Sequence, residues 1–145
     1  MAERRTTGAT RRARQMMLGG VAAGHAAGLV VLGLAAATGT DALLTAALGF
    51  AAVVLFFSIG QAIEVVACEL DPIQGMGLAL ASYALRVVGI AAGLWAILSL
   101  PALEGRVSDG WLLASVTVTV LAWITGVVLV ASRQRVPIYD HDEDP

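Results

Sequence analysis

The sequence contains no lysine, and charged residues of any kind are few. All nine basic residues are arginine, and charged side chains make up 14% of the 145 residues, against 58% hydrophobic ones. Residues 15–132 carry only Arg86, Arg106 and six carboxylates. Because no basic face exists outside the ends of the chain, we expect no nucleic-acid binding. Soluble domains contain about 25% charged residues, so this composition indicates a membrane protein instead.

Cysteine is nearly absent as well. The single cysteine, Cys68, can form neither an intramolecular disulfide nor a multi-cysteine metal site. The sequence also offers no buried carboxylate pair, no serine or cysteine nucleophile beside a base, and no phosphate-binding loop. We therefore predict that the protein is not an enzyme and holds no cofactor and no metal.

Four long apolar runs dominate the chain, at 16–37, 42–63, 76–98 and 111–131, and only Arg86 is charged within them. At ~1.5 Å per residue, about 20 helical residues cross the ~30 Å hydrocarbon core of a bilayer. We predict an all-α integral membrane protein with four transmembrane helices. The predicted segments are an arginine-rich cytoplasmic segment at 1–15, helices at about 16–37, 42–68, 72–98 and 111–131, and a polar, acidic tail at 132–145.

The gaps between the runs contain helix-terminating and helix-starting residues. Asp41 follows a tight turn and is predicted to cap the second helix by accepting a hydrogen bond from a free N–H group. Asp71, Pro72 and Gln74 combine a capping acid, a proline and an amide, which predicts a helix beginning near Pro72. Residues 99–110 form the only connection of any length.

The distribution of arginine predicts the orientation. If four helices cross the bilayer, seven arginines lie on the side of the termini and only Arg106 lies on the other. The positive-inside rule then places both termini in the cytoplasm of a multi-pass protein of the cell membrane. A cleaved signal peptide is the alternative for the first run, but about 22 apolar residues exceed the usual 7 to 15.

Arg86 is predicted to face protein rather than lipid. It lies near the bilayer centre, where a charge is costly. It also shares a stripe of small residues, which lets helices approach closely in a membrane. The other members of the stripe are Ala79, Ser82, Gly89, Gly93 and Ala96. Two interpretations stay open: Arg86 is satisfied inside the bundle, or it meets a buried carboxylate of another protein.

Glu64 is the charged candidate for an internal partner of Arg86. It belongs to a polar stripe with Ser58, Gln61 and Cys68 at the end of the second run. Glu64 and Arg86 differ in depth by about nine residues, or ~13 Å, but both side chains lean toward the gap between them. Gln61 and Tyr83 are the nearer candidates for polar contacts.

His25 lies beside three glycines at four-residue spacing, Gly20, Gly24 and Gly28, which predict a close-packed helix surface. A single histidine without a second ligand favours a packed, hydrogen-bonded side chain over a proton relay.

With these spans in place, the chain resembles the ATP synthase protein I family, small four-helix membrane proteins associated with the F-type ATP synthase. The resemblance includes Asp71–Leu98 (DPIQGMGLALASYALRVVGIAAGLWAIL), with its basic residue inside the third helix. It extends to Ser115–Thr125 (SVTVTVLAWIT) and the basic exit Arg133–Tyr139 (RQRVPIY). Some family members carry an acidic residue one turn before the basic one, where this chain has Tyr83.

The resemblance implies an accessory protein that helps assemble or stabilise the ring of c subunits. The implied partners are the lipid bilayer, the c subunit and other membrane-sector subunits, with homo-oligomerisation left open. Our candidates for the docking surface are Arg86, Ser82, Gly89 and Gly93. The alternative is a small homo-oligomeric transporter that uses the polar intramembrane residues His25 and Arg86.

Overall fold

The computed structural model describes residues 8–134, apart from the side chain of Ala9. These residues form four long helices: α1 Gly8–Thr38, α2 Thr40–Ala67, α3 Pro72–Ser99 and α4 Asp109–Arg133, with a short 3₁₀ helix at Pro101–Leu103. Each long helix contains a stretch long and apolar enough to cross a membrane. The prediction of an all-helical chain with four candidate spans is therefore confirmed within this range. Residues 1–7 and 135–145 of the predicted terminal segments lie outside the described residues.

The first helix begins at Gly8, eight residues before the predicted start at residue 16. The added turns contain Arg11, Arg12, Arg14 and Gln15. Arginine and glutamine are good helix formers, so α1 continues through them. Their polar side chains interrupt the apolar pattern but do not end the helix. The other three helices begin and end within two residues of the predicted bounds.

The prediction that Asp41 caps α2 is wrong. Gly39, at φ +148°, is the single residue between α1 and α2, and the helix begins at Thr40 without a side-chain cap. Asp41 lies within the first turn, where its carboxylate accepts a hydrogen bond from Arg106 Nε at 3.0 Å. Asp71 does occupy the position before α3, and Pro72 is the first helical residue, but the Asp71 side chain makes no cap hydrogen bond.

Three of the four helices pack against one another, and the fourth is peripheral. α1, α2 and α4 are in mutual contact, whereas α3 contacts only α2 and the short 3₁₀ helix. The α1–α4 interface is the most extensive, and it brings the backbones close where Gly19 meets Gly126. Trp123 of α4 is 1% exposed and lies against Gly20 and Gly24.

Large apolar side chains cover the outside of the bundle. Leu18, Val30, Leu80 and Leu113 are each more than 60% exposed. An outer surface of this kind is stable in contact with lipid, because acyl chains are as apolar as the side chains themselves. The surface therefore agrees with the four candidate spans.

Candidate functional site

The peripheral position of α3 leaves an apolar groove between α3 and α4. Because the backbones of these two helices do not come close to each other, α2 forms the floor of the groove. The volume of the groove is about 540 Å³. The lining residues are Phe57 from α2, Tyr83, Arg86, Val87, Ile90, Ala91 and Leu94 from α3, and Val120 and Ile124 from α4.

The α2–α3 interface places Arg86 at this groove. The two helices run antiparallel, so three residues of α2 at four-residue spacing, Phe56, Gly60 and Glu64, meet three residues of α3 in reverse order, Gly89, Arg86 and Ser82. A Cβ atom on Gly89 would overlap the ring of Phe56, and one on Gly60 would overlap the side chain of Arg86. Gly60 thus gives the Arg86 side chain room to cross α2.

The predicted docking surface is mostly covered by the protein itself. Ser82 and Gly89 are buried against α2, and Gly93 is half-buried near Phe56. Ser82, Gly89 and Gly93 of the small-residue stripe do pack against another helix, as predicted, but that helix is α2 of the same chain, and Ala96 of the stripe is exposed. Ser82 and Gly89 are therefore unavailable to a partner while α3 stays in place. Arg86 is the only one of the four docking candidates that also lines the groove.

Arg86 forms an ion pair with Glu64. Its Nη2 atom lies 2.8 Å from Glu64 Oε1, and Ser82 Oγ donates to the same oxygen at 3.1 Å. The Arg86 side chain lies against Gly60, and Glu64 follows Gly60 by one turn of α2, ~6 Å, so the two residues are closer in depth than the ~13 Å predicted. The structure thus brings together three of the residues singled out in the sequence, Ser82, Glu64 and Arg86.

The guanidinium keeps unused hydrogen-bonding capacity despite this ion pair. Nη2 is within ion-pair distance of the carboxylate, but neither Nη2 nor Nε makes an aligned hydrogen bond, although both atoms are buried. The Arg86 Cζ atom lies 5.5 Å from the centroid of the Phe57 ring, a cation–π distance. The Arg86 side chain is 14% exposed and that of Glu64 is 38% exposed.

The two other candidates for polar contacts with Arg86 have different positions. Gln61 is buried and uses its Oε1 atom to accept a hydrogen bond from Trp123 Nε1 at 3.2 Å. Gln61 lines a smaller cavity of about 140 Å³ together with Glu64 and Arg86. Tyr83 is 65% exposed and forms part of the groove wall.

His25 is packed and hydrogen-bonded, as predicted. Its Nδ1 atom lies 2.8 Å from the carbonyl oxygen of Val21, and its ring meets Phe50 edge-on at 5.5 Å. Because a carbonyl oxygen only accepts, this contact assigns a proton to Nδ1. The neighbouring glycines pack as predicted, with Gly20 and Gly24 on Trp123 and Gly28 on Phe50.

The polar side chains that line the groove are those of Arg86 and Tyr83. Within residues 8–134, no group of three or more His, Cys, Asp or Glu side chains is arranged to hold a metal ion. The groove combines apolar walls with one guanidinium, which binds carboxylates and other hydrogen-bond acceptors. Cys68 is a free, exposed thiol at the end of α2, outside this groove.

Sequence reasoning missed two residues that position Arg86. Gly60 and Phe57 were not predicted, because neither belongs to the polar stripe of α2 that contains Gln61 and Glu64. A signal was present in the four-residue spacing of Phe56, Gly60 and Glu64, which places them on one helix face. That face could be recognised as the partner of the small-residue stripe on α3.

Comparisons with protein families, curated proteins and solved structures find no match to this chain.

Proposed function

We propose that the protein is a non-catalytic accessory protein of the F-type ATP synthase, which helps assemble or stabilise the ring of c subunits through helix–helix docking. The proposal includes a multi-pass position in the cell membrane with both termini in the cytoplasm. The arginine distribution supports that orientation, with seven arginines on the side of the termini and one, Arg106, on the other. The resemblance of Asp71–Leu98 to the ATP synthase protein I family supports the choice of complex.

The observation that carries the proposal is the groove between α3 and α4 with Arg86 in its wall. Arg86 is the fifteenth of the 28 residues of α3, close to the middle of a candidate span. A charge exposed to hydrocarbon at that depth costs about 2.5–3.5 kcal/mol on insertion scales. A partner helix that fills the groove would remove this contact with lipid, so the groove favours occupation by protein.

The partner proposed for the groove is a c-subunit helix. Ring subunits of rotary synthases carry a carboxylate near mid-membrane, and an acid at that depth matches the charge of Arg86. Attraction between opposite charges is strong where the dielectric constant is low. The docking surface proposed here is the groove, because Gly89 and Ser82 are occupied by α2.

The test is purification of the tagged full-length protein from its own host in mild detergent, with mass spectrometry of bound subunits. Ala91→Trp places a large ring in the groove, while Ala92→Trp puts the same ring on an exposed position of α3 outside the groove lining. We expect Ala91→Trp to lower recovery of the c subunit at least tenfold and Ala92→Trp to leave it unchanged. Equal recovery with both variants, or none with the wild-type protein after crosslinking, would refute groove docking.

The contribution of the charge is tested separately with Glu64→Leu/Arg86→Leu. This double variant removes both charges and leaves no unpaired ion, so a loss of c-subunit recovery reports on recognition rather than on a destabilised helix. We expect recovery to fall while the helix content stays at its wild-type value and the melting temperature falls less than that of Glu64→Leu. If the double variant assembles rings normally in cells lacking the wild-type copy, Arg86 has no docking role.

The transporter alternative depended on His25 and Arg86. His25 is packed against Phe50 and bonded to the backbone of its own helix. Arg86 is paired with Glu64 at the protein surface that forms the groove. Neither arrangement favours transport over docking, so we retain the accessory function alone.

A further inference from the structure

One end of the α1–α4 pair carries arginine and no acid among the described residues. Arg11, Arg12 and Arg14 lie in the first two turns of α1, and Arg133 is the last residue of α4. Residues 8–38 contain no acidic side chain, and the only acid of α4, Asp109, lies at its opposite end. The described part of this end therefore has four positive charges and no neutralising partner on either helix.

Gln134 holds these two helix ends together. Its Nε2 atom lies 3.4 Å from the backbone oxygen of Arg12 and 3.3 Å from Gln15 Oε1. The end of α4 is thus held against the first turns of α1, and Arg133 lies at the same end of the helix pair as the arginines of α1. The positive charge is carried by two packed helices rather than by a flexible strand of chain.

The depth of these arginines matches the headgroup layer of a bilayer. The apolar run of α1 begins at Met16. At ~1.5 Å per residue, Arg14 and Arg11 lie ~3 Å and ~7.5 Å beyond that point along the helix axis. The polar layer on each side of the hydrocarbon core is about 5–8 Å thick. Both guanidinium groups therefore reach the level of lipid phosphates.

Arg11 and Arg14 share an exposed face with an apolar side chain. Arg11, Arg14 and Leu18 are spaced three and four residues apart, which places them on one side of α1. All three are exposed, Leu18 by 65%. A phospholipid on this face would set its phosphate against the arginines and an acyl chain along Leu18 and Ala22, which is also exposed.

We infer that this face of α1 is a binding site for the phosphodiester headgroup of an anionic phospholipid. The site is independent of the proposed docking of a c subunit. Other membrane-proximal parts of the described chain differ in charge. The α2–α3 turn at the same end carries Glu69 and Asp71, both exposed. At the opposite end, Arg106 is paired with Asp41.

The test is a lipid titration of the full-length protein in detergent, followed by native mass spectrometry. Phosphatidylglycerol is compared with phosphatidylcholine of the same acyl chains, for the wild-type protein and for Arg11→Gln/Arg14→Gln. One arginine near an anionic headgroup layer contributes a factor of about five in affinity, so the double variant should bind phosphatidylglycerol roughly 25-fold more weakly. Its affinity for phosphatidylcholine should stay within about twofold.

Arg106→Gln is the matched control, since it removes an arginine side chain at the opposite end of the bundle. We expect it to keep the wild-type preference for phosphatidylglycerol. Helix content and melting temperature in phosphatidylcholine establish that the double variant is folded. The inference is overturned if the folded double variant keeps its phosphatidylglycerol affinity, or if Arg106→Gln lowers that affinity equally.

Discussion

The α1–α4 and α2–α3 interfaces are both antiparallel and both use glycine, but they use it differently. Between α1 and α4, Gly19 faces Gly126, so the two backbones approach each other directly. Between α2 and α3, Gly60 and Gly89 accept the side chains of Arg86 and Phe56. The first interface therefore brings two glycine backbones together and also packs Trp123 on Gly20 and Gly24, whereas Gly60 and Gly89 of the second interface make room for side chains.

This difference separates two parts of the molecule. The fixed part consists of α1, α4 and the face of α2 that packs on them, and the open part consists of α3, the face of α2 beneath it and the groove. α1 and α4 are each held by two other long helices, whereas α3 is held by α2 alone among the long helices. Neighbouring glycines at a helix interface give close van der Waals packing, which stabilises helix pairs in lipid. In an ion pair such as Glu64–Arg86, the cost of desolvating two charges offsets part of their attraction. The pair also leaves a charge beside the groove. The open side of the bundle is therefore the side that has a charged residue in a groove wall.

The largest effect is expected from breaking the backbone contact of the fixed part. A Cβ atom on Gly126 would overlap the carbonyl oxygen of Gly19 and lie 2.7 Å from the Cβ of Ala23. Because backbone atoms cannot rotate aside, Gly126→Ala should lower the free energy of unfolding by about 3 kcal/mol. Titration with a denaturing detergent in mixed micelles, followed by circular dichroism, measures this loss.

Gly33→Ala is the control for that substitution. Gly33 lies in α1 with nothing within 4 Å of an added Cβ. Alanine in a helix interior is favoured over glycine by about 0.5–1 kcal/mol, so this variant should be as stable as the wild-type protein or slightly more stable. Equal losses for the two variants would mean that the Gly19–Gly126 approach is not what holds α1 to α4.

The next effect concerns the ion pair of the open part. Glu64→Leu leaves the arginine beside apolar walls without a counter-charge and should cost about 2 kcal/mol, less than a fully buried pair because Glu64 is 38% exposed. Arg86→Leu should cost less, about 1 kcal/mol, because a carboxyl group can become neutral whereas a guanidinium cannot. The same detergent titration, applied to both variants, shows which substitution lowers the free energy of unfolding more.

The double variant Glu64→Leu/Arg86→Leu completes the cycle. Removing both charges leaves no unpaired ion, so its stability should be closer to the wild-type value than that of Glu64→Leu, with a coupling energy of about 1–2 kcal/mol. Additive losses would show that the short Nη2–Oε1 distance is not a stabilising interaction. Comparison with Gly126→Ala then shows whether the side-chain ion pair or the backbone contact contributes more to the free energy of unfolding.

The four helices were predictable because length and hydropathy alone define a candidate span. The start of α1 was not predictable, because the arginines at its beginning interrupt the apolar pattern but not the helix. The stripe containing Ser82, Arg86 and Gly89 was predictable from helical spacing, but its partner was not. A stripe of small residues fits a helix of the same chain and a helix of another protein equally well, and only the fold places α2 there. The groove depends on α3 and α4 staying apart, which no local pattern encodes.

A smaller effect is expected at the polar contact inside the fixed part. Trp123 Nε1 donates to Gln61 Oε1, and both side chains are buried. Trp123→Phe keeps an aromatic ring against Gly20 and Gly24 but removes the donor, so it should lower stability by about 1 kcal/mol. Trp123→Phe combined with Gln61→Leu removes both partners and should recover part of that loss. If the combined variant is no more stable than Trp123→Phe, the hydrogen bond is not the cause.

The smallest effect is expected at the second ion pair, which resembles the first in length but not in surroundings. Arg106 Nε lies 3.0 Å from Asp41 Oδ1, close to the 2.8 Å of the Glu64–Arg86 contact, but both side chains are more than half exposed. Water screens such a pair, so Asp41→Asn should change the free energy of unfolding by less than about 0.5 kcal/mol. Raising the ionic strength to about 1 M shortens the screening length to ~3 Å and should remove even that difference. The Glu64–Arg86 coupling should lose less under the same salt, because the Arg86 side chain is 14% exposed and lies against Phe57. Similar salt sensitivity of the two pairs would instead place water at Arg86 and remove the argument that the groove favours a protein occupant.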